Sequence, residues 1–125
     1  MIRGRRILLV EDDRFLRRAC EASLRQRGFA ITTAVDGVEA LDKARDEPPD
    51  LILLDLLMPR MTGIEVLRAL RAEEPTRRIP VLILSNSSRE QDAEEIKALG
   101  VADYLVKANL SLQELGDRVL RLLEG

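Results

Sequence analysis

Leu51-Ile52-Leu53-Leu54-Asp55, preceded by Pro48-Pro49-Asp50, is the stretch that decides the fold class. Four apolar residues in a row, without alternation, are what a strand covered on both faces requires, and the two prolines stop any helix running into it. Outward from this stretch, short apolar runs recur: Ile7–Val10 and the weaker Ile31–Ala34 before it, Val81–Leu84 and Ala102–Val106 after it. Segments of helical period separate them. Leu16, Ala19, Cys20 and Leu24 mark one face of a first helix, which Gly28 is placed to end. Val38, Leu41 and Ala44 mark a second, and Ile64, Leu67 and Leu70 a third that stops near Pro75. Ala93, Ile96 and Leu99 mark a fourth, ending at Gly100, with Ser87–Glu90 and Ser88–Gln91 as capping boxes at its start. Leu112, Leu115, Val119 and Leu122 mark a fifth, beginning near Asn109 or Ser111.

Strand and helix thus alternate five times. Right-handed βαβ crossovers turn that order into an α/β fold: a doubly wound, five-stranded parallel (βα)5 sheet with helices on both faces. The 125 residues show no linker, repeat or low-complexity stretch, so a single domain over 1–125 is expected. A composition 46% hydrophobic and 34% charged is globular, and a net charge of −2 gives no reason to expect nucleic acid or an anionic membrane as direct partner. No apolar run approaches the roughly 20 residues of a membrane span, and the first residues do not read as a signal peptide. The lone Cys20 excludes an internal disulfide framework, so a cytoplasmic protein is expected. There is no histidine, which rules out Ser-His-Asp and Cys-His sites and the HExxH zinc motif. Aromatic residues are 2%, too few for a platform that stacks nucleic-acid bases.

In an open parallel sheet ligands bind at the carboxyl ends of the strands. The residues placed there are Glu11-Asp12-Asp13 after the first run, Asp55 after the third, Ser85 after the fourth and Lys107 after the fifth. Each has a bland account: an acid capping the next helix, a serine opening a turn, a solvated lysine. Their coincidence along one edge favours a site. Carboxylates about 4 Å apart repel by about 4 kcal/mol at an effective dielectric near 20, so the cluster calls for a cation. Oxygen-only ligands favour Mg²⁺ or Mn²⁺ over zinc. A divalent ion, an ammonium and a hydroxyl around one carboxylate are fittings for phosphoryl transfer, with that carboxylate as nucleophile.

Ile7-Leu8-Leu9-Val10-Glu11-Asp12-Asp13, Leu53-Leu54-Asp55-Leu56-Leu57-Met58-Pro59 with Thr62-Gly63, Pro80-Val81-Leu82-Ile83-Leu84-Ser85 and Asp103-Tyr104-Leu105-Val106-Lys107 together resemble the receiver domain of two-component response regulators. The resemblance covers essentially the whole chain. It implies a CheY-like (flavodoxin-like) sheet in the order 2-1-3-4-5, with Asp55 as phosphoacceptor. It implies Mg²⁺ (Mn²⁺ as the alternative) bound by Glu11, Asp12, Asp55 and the backbone carbonyl of Leu57. Ser85 and Lys107 would contact phosphoryl oxygens, and Ser85 and Tyr104 would form the switch. The implied partners are a histidine kinase or histidine phosphotransfer protein and a downstream target protein, with no direct contact to nucleic acid or membrane.

The chain departs from the family's pattern at three places. Thr62 replaces a common Asp, with little consequence expected. Ala108 follows Lys107 where a proline is usual, so a trans peptide and a differently shaped loop are expected. Asp13 adds a third acid, most simply a helix cap, with metal contact through water as the alternative role. A haloacid-dehalogenase-type phosphatase would need an acid two residues after Asp55, where this chain has Leu57. Neither Leu57 nor Ser87 carries the amide or carboxylate that would orient an attacking water, so a long-lived aspartyl phosphate is expected.

Overall fold

In the computed structural model, which describes residues 4–58, 60–86 and 93–124, five parallel strands lie in the order β2-β1-β3-β4-β5. They are β1 (Arg6–Val10), β2 (Ala30–Ala34), β3 (Leu51–Asp55), β4 (Val81–Ser85) and β5 (Asp103–Val106). The helices between and after them are α1 (Arg14–Gln26), α2 (Gly37–Asp46), α3 (Gly63–Ala72), α4 (Ala93–Leu99) and α5 (Leu112–Glu124). The expected fold class and strand order are therefore the observed ones. The capping boxes expected at Ser87–Glu90 and Ser88–Gln91 lie outside the described residues.

Continuous apolar runs become strands because both sheet faces are covered, and successive side chains divide between them. Leu8, Val10, Ile52, Leu54, Val81 and Ile83 face α2, α3 and α4. Ile7, Leu9, Leu51, Leu53, Leu82 and Leu84 face α1 and α5. Each fully buried Leu or Ile contributes roughly 1.5–3 kcal/mol, so the central strands anchor the site above them. On the edge strand β2, Arg25 from α1 and Lys43 from α2 donate to the outward carbonyls of Ile31 and Thr33, which leaves less open backbone for another strand to pair with.

Helix starts are built by side-chain caps. Asp13 accepts from the Leu16 N–H, Asp36 from the Glu39 N–H, and Thr62 and Glu65 form a reciprocal capping box. Gly28 and Gly100 follow α1 and α4 with φ of 96° and 79°, the left-handed backbone that glycine adopts without strain. Three expected core positions are corrected. Val38 is 45% exposed, Leu112 is 37% exposed and Ala93 is exposed, whereas Ala40, Leu115 and Ile96 of the same first turns are buried, so each of these helices meets the sheet through one side of its first turn only. In α5 the last buried position is Leu123, with Leu122 only half-buried. The Lys107–Ala108 peptide is trans, and Lys107–Asn109 forms a 3-10 turn.

Candidate functional site

Strand register carries the site. Val10 pairs with Leu54, Asp55 with Leu84, and Ser85 with Val106. Glu11, Asp55, Ser85 and Lys107 consequently stand in one row at the carboxyl ends of four adjacent strands, spanning the point between β1 and β3 where strand order reverses. Gly63 lets the backbone close around this row: a Cβ there would lie 2.6 Å from the Asp55 carbonyl oxygen and 2.6 Å from Leu56 Cα. Its N–H donates to the Leu56 carbonyl at 2.9 Å.

The three consecutive acids have different tasks. Glu11 is fully buried, Asp12 is exposed, and Asp13 caps α1. Oxygen atoms of Glu11, Asp12 and Asp55 lie within 4.8 Å of one another. Lys107 Nζ bridges two of these groups, 2.8 Å from Glu11 Oε1 and 3.1 Å from Asp55 Oδ2. Asp55 Oδ1 accepts from the Leu57 N–H at 3.3 Å, and Glu11 Oε2 accepts from the Asp13 N–H at 3.1 Å. Ser85 is buried at the end of β4. Tyr104 is half-buried on β5, against the core under α4, and borders a 230 Å³ cavity with Ile96, Lys97 and Val101.

Burial pushes the Glu11 carboxyl up to about 7, against the opposing pull of the Lys107 ammonium. Burial raises Asp55 as well, again opposed by its neighbours. Lys107 stays above its ordinary value: burial disfavours its charge, but Glu11 and Asp55 together outweigh that penalty. One ammonium meets two of the three carboxylates, so with all three ionised Glu11, Asp12, Asp55 and Lys107 together carry a charge of −2. Glu11 Oε1 is buried and, despite the ammonium nearby, receives no well-directed hydrogen bond. An oxygen-only site that stays anionic with its one ammonium in place fits a hydrated divalent cation such as Mg²⁺.

One contact had no expectation from the sequence. Arg17 Nη1 donates to the carbonyls of Glu11 at 3.0 Å and Asp12 at 3.3 Å. Its signal is a basic residue one helical turn beyond the run of acids, which nothing distinguishes from a surface arginine until the loop is folded.

A protein-family model for the response regulator receiver domain matches residues 7–120. The response regulator MprA of Mycobacterium avium is 41% identical over 120 residues, covering 94% of this chain and 50% of that protein. MprA of Mycobacterium tuberculosis matches with the same identity and coverage. The chain thus spans about half the length of the curated relatives it matches. Among solved structures, the receiver domain of sensor histidine kinase PA1611 from Pseudomonas aeruginosa, with magnesium coordinated in its active-site cleft, superposes with a TM-score of 0.88 at 34% identity, covering 98% of this chain and 99% of that one. The chemotaxis protein CheY4 of Vibrio cholerae superposes with a TM-score of 0.88 at 32% identity, covering 96% and 99%.

Proposed function

Because the chain belongs to the response regulator receiver domain family, we propose that it accepts a phosphoryl group on Asp55 from a phosphohistidine of a histidine kinase or histidine phosphotransfer protein. An Asp55 carboxylate oxygen attacks phosphorus, the P–N bond breaks, and its electron pair returns to the imidazole, which takes up a proton. The observation that carries this reading is the buried Glu11–Lys107–Asp55 row with its uncompensated negative charge.

Glu11, Asp12 and Asp55, with the backbone carbonyl of Leu57, would hold Mg²⁺, or Mn²⁺ in its place. When bound, the ion supplies positive charge against the phosphoryl oxygens. Lys107 pairs with one phosphoryl oxygen, and the Ser85 hydroxyl donates to another. Phosphorylation adds strong acceptor oxygens that draw Ser85 inward, and Tyr104 follows into the space released. The face made by α4, β5 and α5 then presents the signal to a target protein. Leu57, 62% exposed beside Asp55, offers attacking water no polar side chain, which supports a slow loss of phosphate. Ser87, the second position in that expectation, lies outside the described residues.

Residues 1–125 act as a single receiver domain, which is not itself an enzyme acting on other molecules. No helix among the described residues is long and apolar enough to cross a membrane, in keeping with a cytoplasmic site of action. The absence of direct nucleic-acid contact applies to this domain alone. Incubation with acetyl phosphate and Mg²⁺, followed by intact-mass measurement, should show one added phosphoryl group that disappears in Asp55→Asn. A mass shift surviving that substitution would overturn the assignment.

A further inference from the structure

The acidic loop ends, carbonyl by carbonyl, on one residue. The Glu11 and Asp12 carbonyls accept from the Arg17 guanidinium, and the Asp13 carbonyl accepts from the Arg17 backbone N–H at 2.9 Å. The loop's side chains are less evenly held. Glu11 is fixed by burial, Lys107 and the Asp13 N–H, and Asp13 by its cap. The Asp12 carboxylate takes no hydrogen bond or ion pair among the described residues, so no side-chain contact holds it and the backbone sets only the direction of its Cα–Cβ bond. Two peptide planes, 11–12 and 12–13, determine from where and in which direction the Asp12 side chain leaves the backbone, and both carry a carbonyl that Arg17 holds.

We propose that Arg17 is a positioning residue for the divalent cation, presetting Asp12 beside Glu11 and Asp55 by clamping the two carbonyls that flank it. This rests on the metal-dependent reading above and adds a residue to it. Arg17 touches neither the ion nor the phosphoryl group. Its guanidinium is a fixed planar donor that serves two acceptors at once, whereas a lysine carries the same charge on a flexible point donor. Groups that orient metal ligands typically alter metal affinity by roughly 10–100-fold when removed.

The two contributions of Arg17 oppose each other and can be separated. Its charge, close to a cation site, disfavours Mg²⁺, so a purely electrostatic role predicts tighter binding in Arg17→Gln. Clamping predicts weaker binding, and it predicts that Arg17→Lys, with charge retained, weakens binding too. Calorimetric titration of the full chain with MgCl₂, well below each variant's melting temperature, is the direct test. Arg18→Gln is the control, since Arg18 is exposed on the same helix and donates to none of the loop's carbonyls. Both Arg17 variants should bind Mg²⁺ about tenfold more weakly, and Arg18→Gln within about twofold of wild type. Wild-type affinity in Arg17→Lys, tighter binding in Arg17→Gln, or an equal loss in Arg18→Gln would overturn the clamp while leaving the phosphoacceptor reading intact. Failure of the wild type itself to take Mg²⁺ would overturn both.

Discussion

The two ends of the sheet treat charge in opposite ways. At the amino ends of the strands, where the helices finish, carboxylates are exposed or half-buried and paired with arginines. Arg6 pairs with Glu47 at 2.6 Å with side chains 49% and 67% exposed, and Arg45 meets Glu73 through two bonds of 2.7 and 2.6 Å. Arg71 spreads its guanidinium over the carbonyls of Arg77, Ile79, Leu99 and Gly100, satisfying the end of α4 and the turn before β4. At the carboxyl ends, Glu11 and Asp55 are buried and share a single ammonium. Exposed pairs contribute about 0–1 kcal/mol and can be lost with little effect, whereas a buried, unmatched cluster responds strongly to any change in its charge. The difference separates the end that closes the fold from the end that carries the candidate site.

The largest expected effect comes from deepening the imbalance. Lys107→Met leaves two buried carboxylates without their ammonium, and urea denaturation of metal-free protein at pH 8 should show a loss of about 3 kcal/mol, partly restored by Mg²⁺. A loss no greater than that of an exposed pair would erase the contrast between the two ends.

A second contrast concerns glycines at the two ends. Gly63→Ala forces a methyl group against the Asp55 and Leu56 backbone, so thermal unfolding should report a loss of about 2–3 kcal/mol. Gly100→Ala, at the amino end, meets open space, and only its φ of 79° opposes the substitution, at about 1 kcal/mol. Equal losses would mean that close approach at Gly63 is not a constraint.

The pH dependence probes the carboxyl end more finely. The folded pKa of Glu11 is raised from 4.5 to about 7, and that of Asp55 is also raised, so the metal-free folded state binds more protons than the unfolded chain in between. The stability linked to these groups is fully present below their ordinary values, falls as pH rises towards about 7, and then levels off. Carboxylates paired elsewhere, such as Glu73, are lowered and act only below their ordinary values, outside this window. Denaturation between pH 5 and 8 without metal should show a decline on the order of 2 kcal/mol, flattened in Glu11→Gln. A rise across that interval would reverse the assignment of sign. The smallest effect belongs to the amino end: Glu47→Gln should shift stability by less than about 0.5 kcal/mol at any pH from 5 to 8.

Helix periodicity read the apolar faces correctly along most of each helix but misjudged several first turns. Val38 and Leu112 continue the apolar stripes of their helices yet stand exposed, whereas Ile64, equally early in α3, is buried. The distinction lies in how closely a helix begins against its strand. Gly63 brings the start of α3 onto the Asp55–Leu56 backbone, whereas the close approach at Gly37, just before Val38, is to the side chains of Val66 and Met61 and not to a strand. Spacing along a chain specifies which side chains share a face but not how far that face extends past the sheet.

The strands, the order of elements and the set of acid, hydroxyl and lysine at the strand ends were all legible in the order of the amino acids. Short unbroken apolar runs have few other ways to be buried, and a parallel sheet brings their carboxyl ends to one edge. The helix cap at Asp13 was also legible, but which of its two neighbours is buried and which is left exposed emerged only from the folded chain, as did the contacts of Arg17 with the Glu11 and Asp12 carbonyls. Those assignments depend on burial and on hydrogen bonds a few ångströms long between segments that local pattern does not bring together. Side chains of the same chemistry become different groups only when the surrounding backbone takes water away from one and leaves it to another.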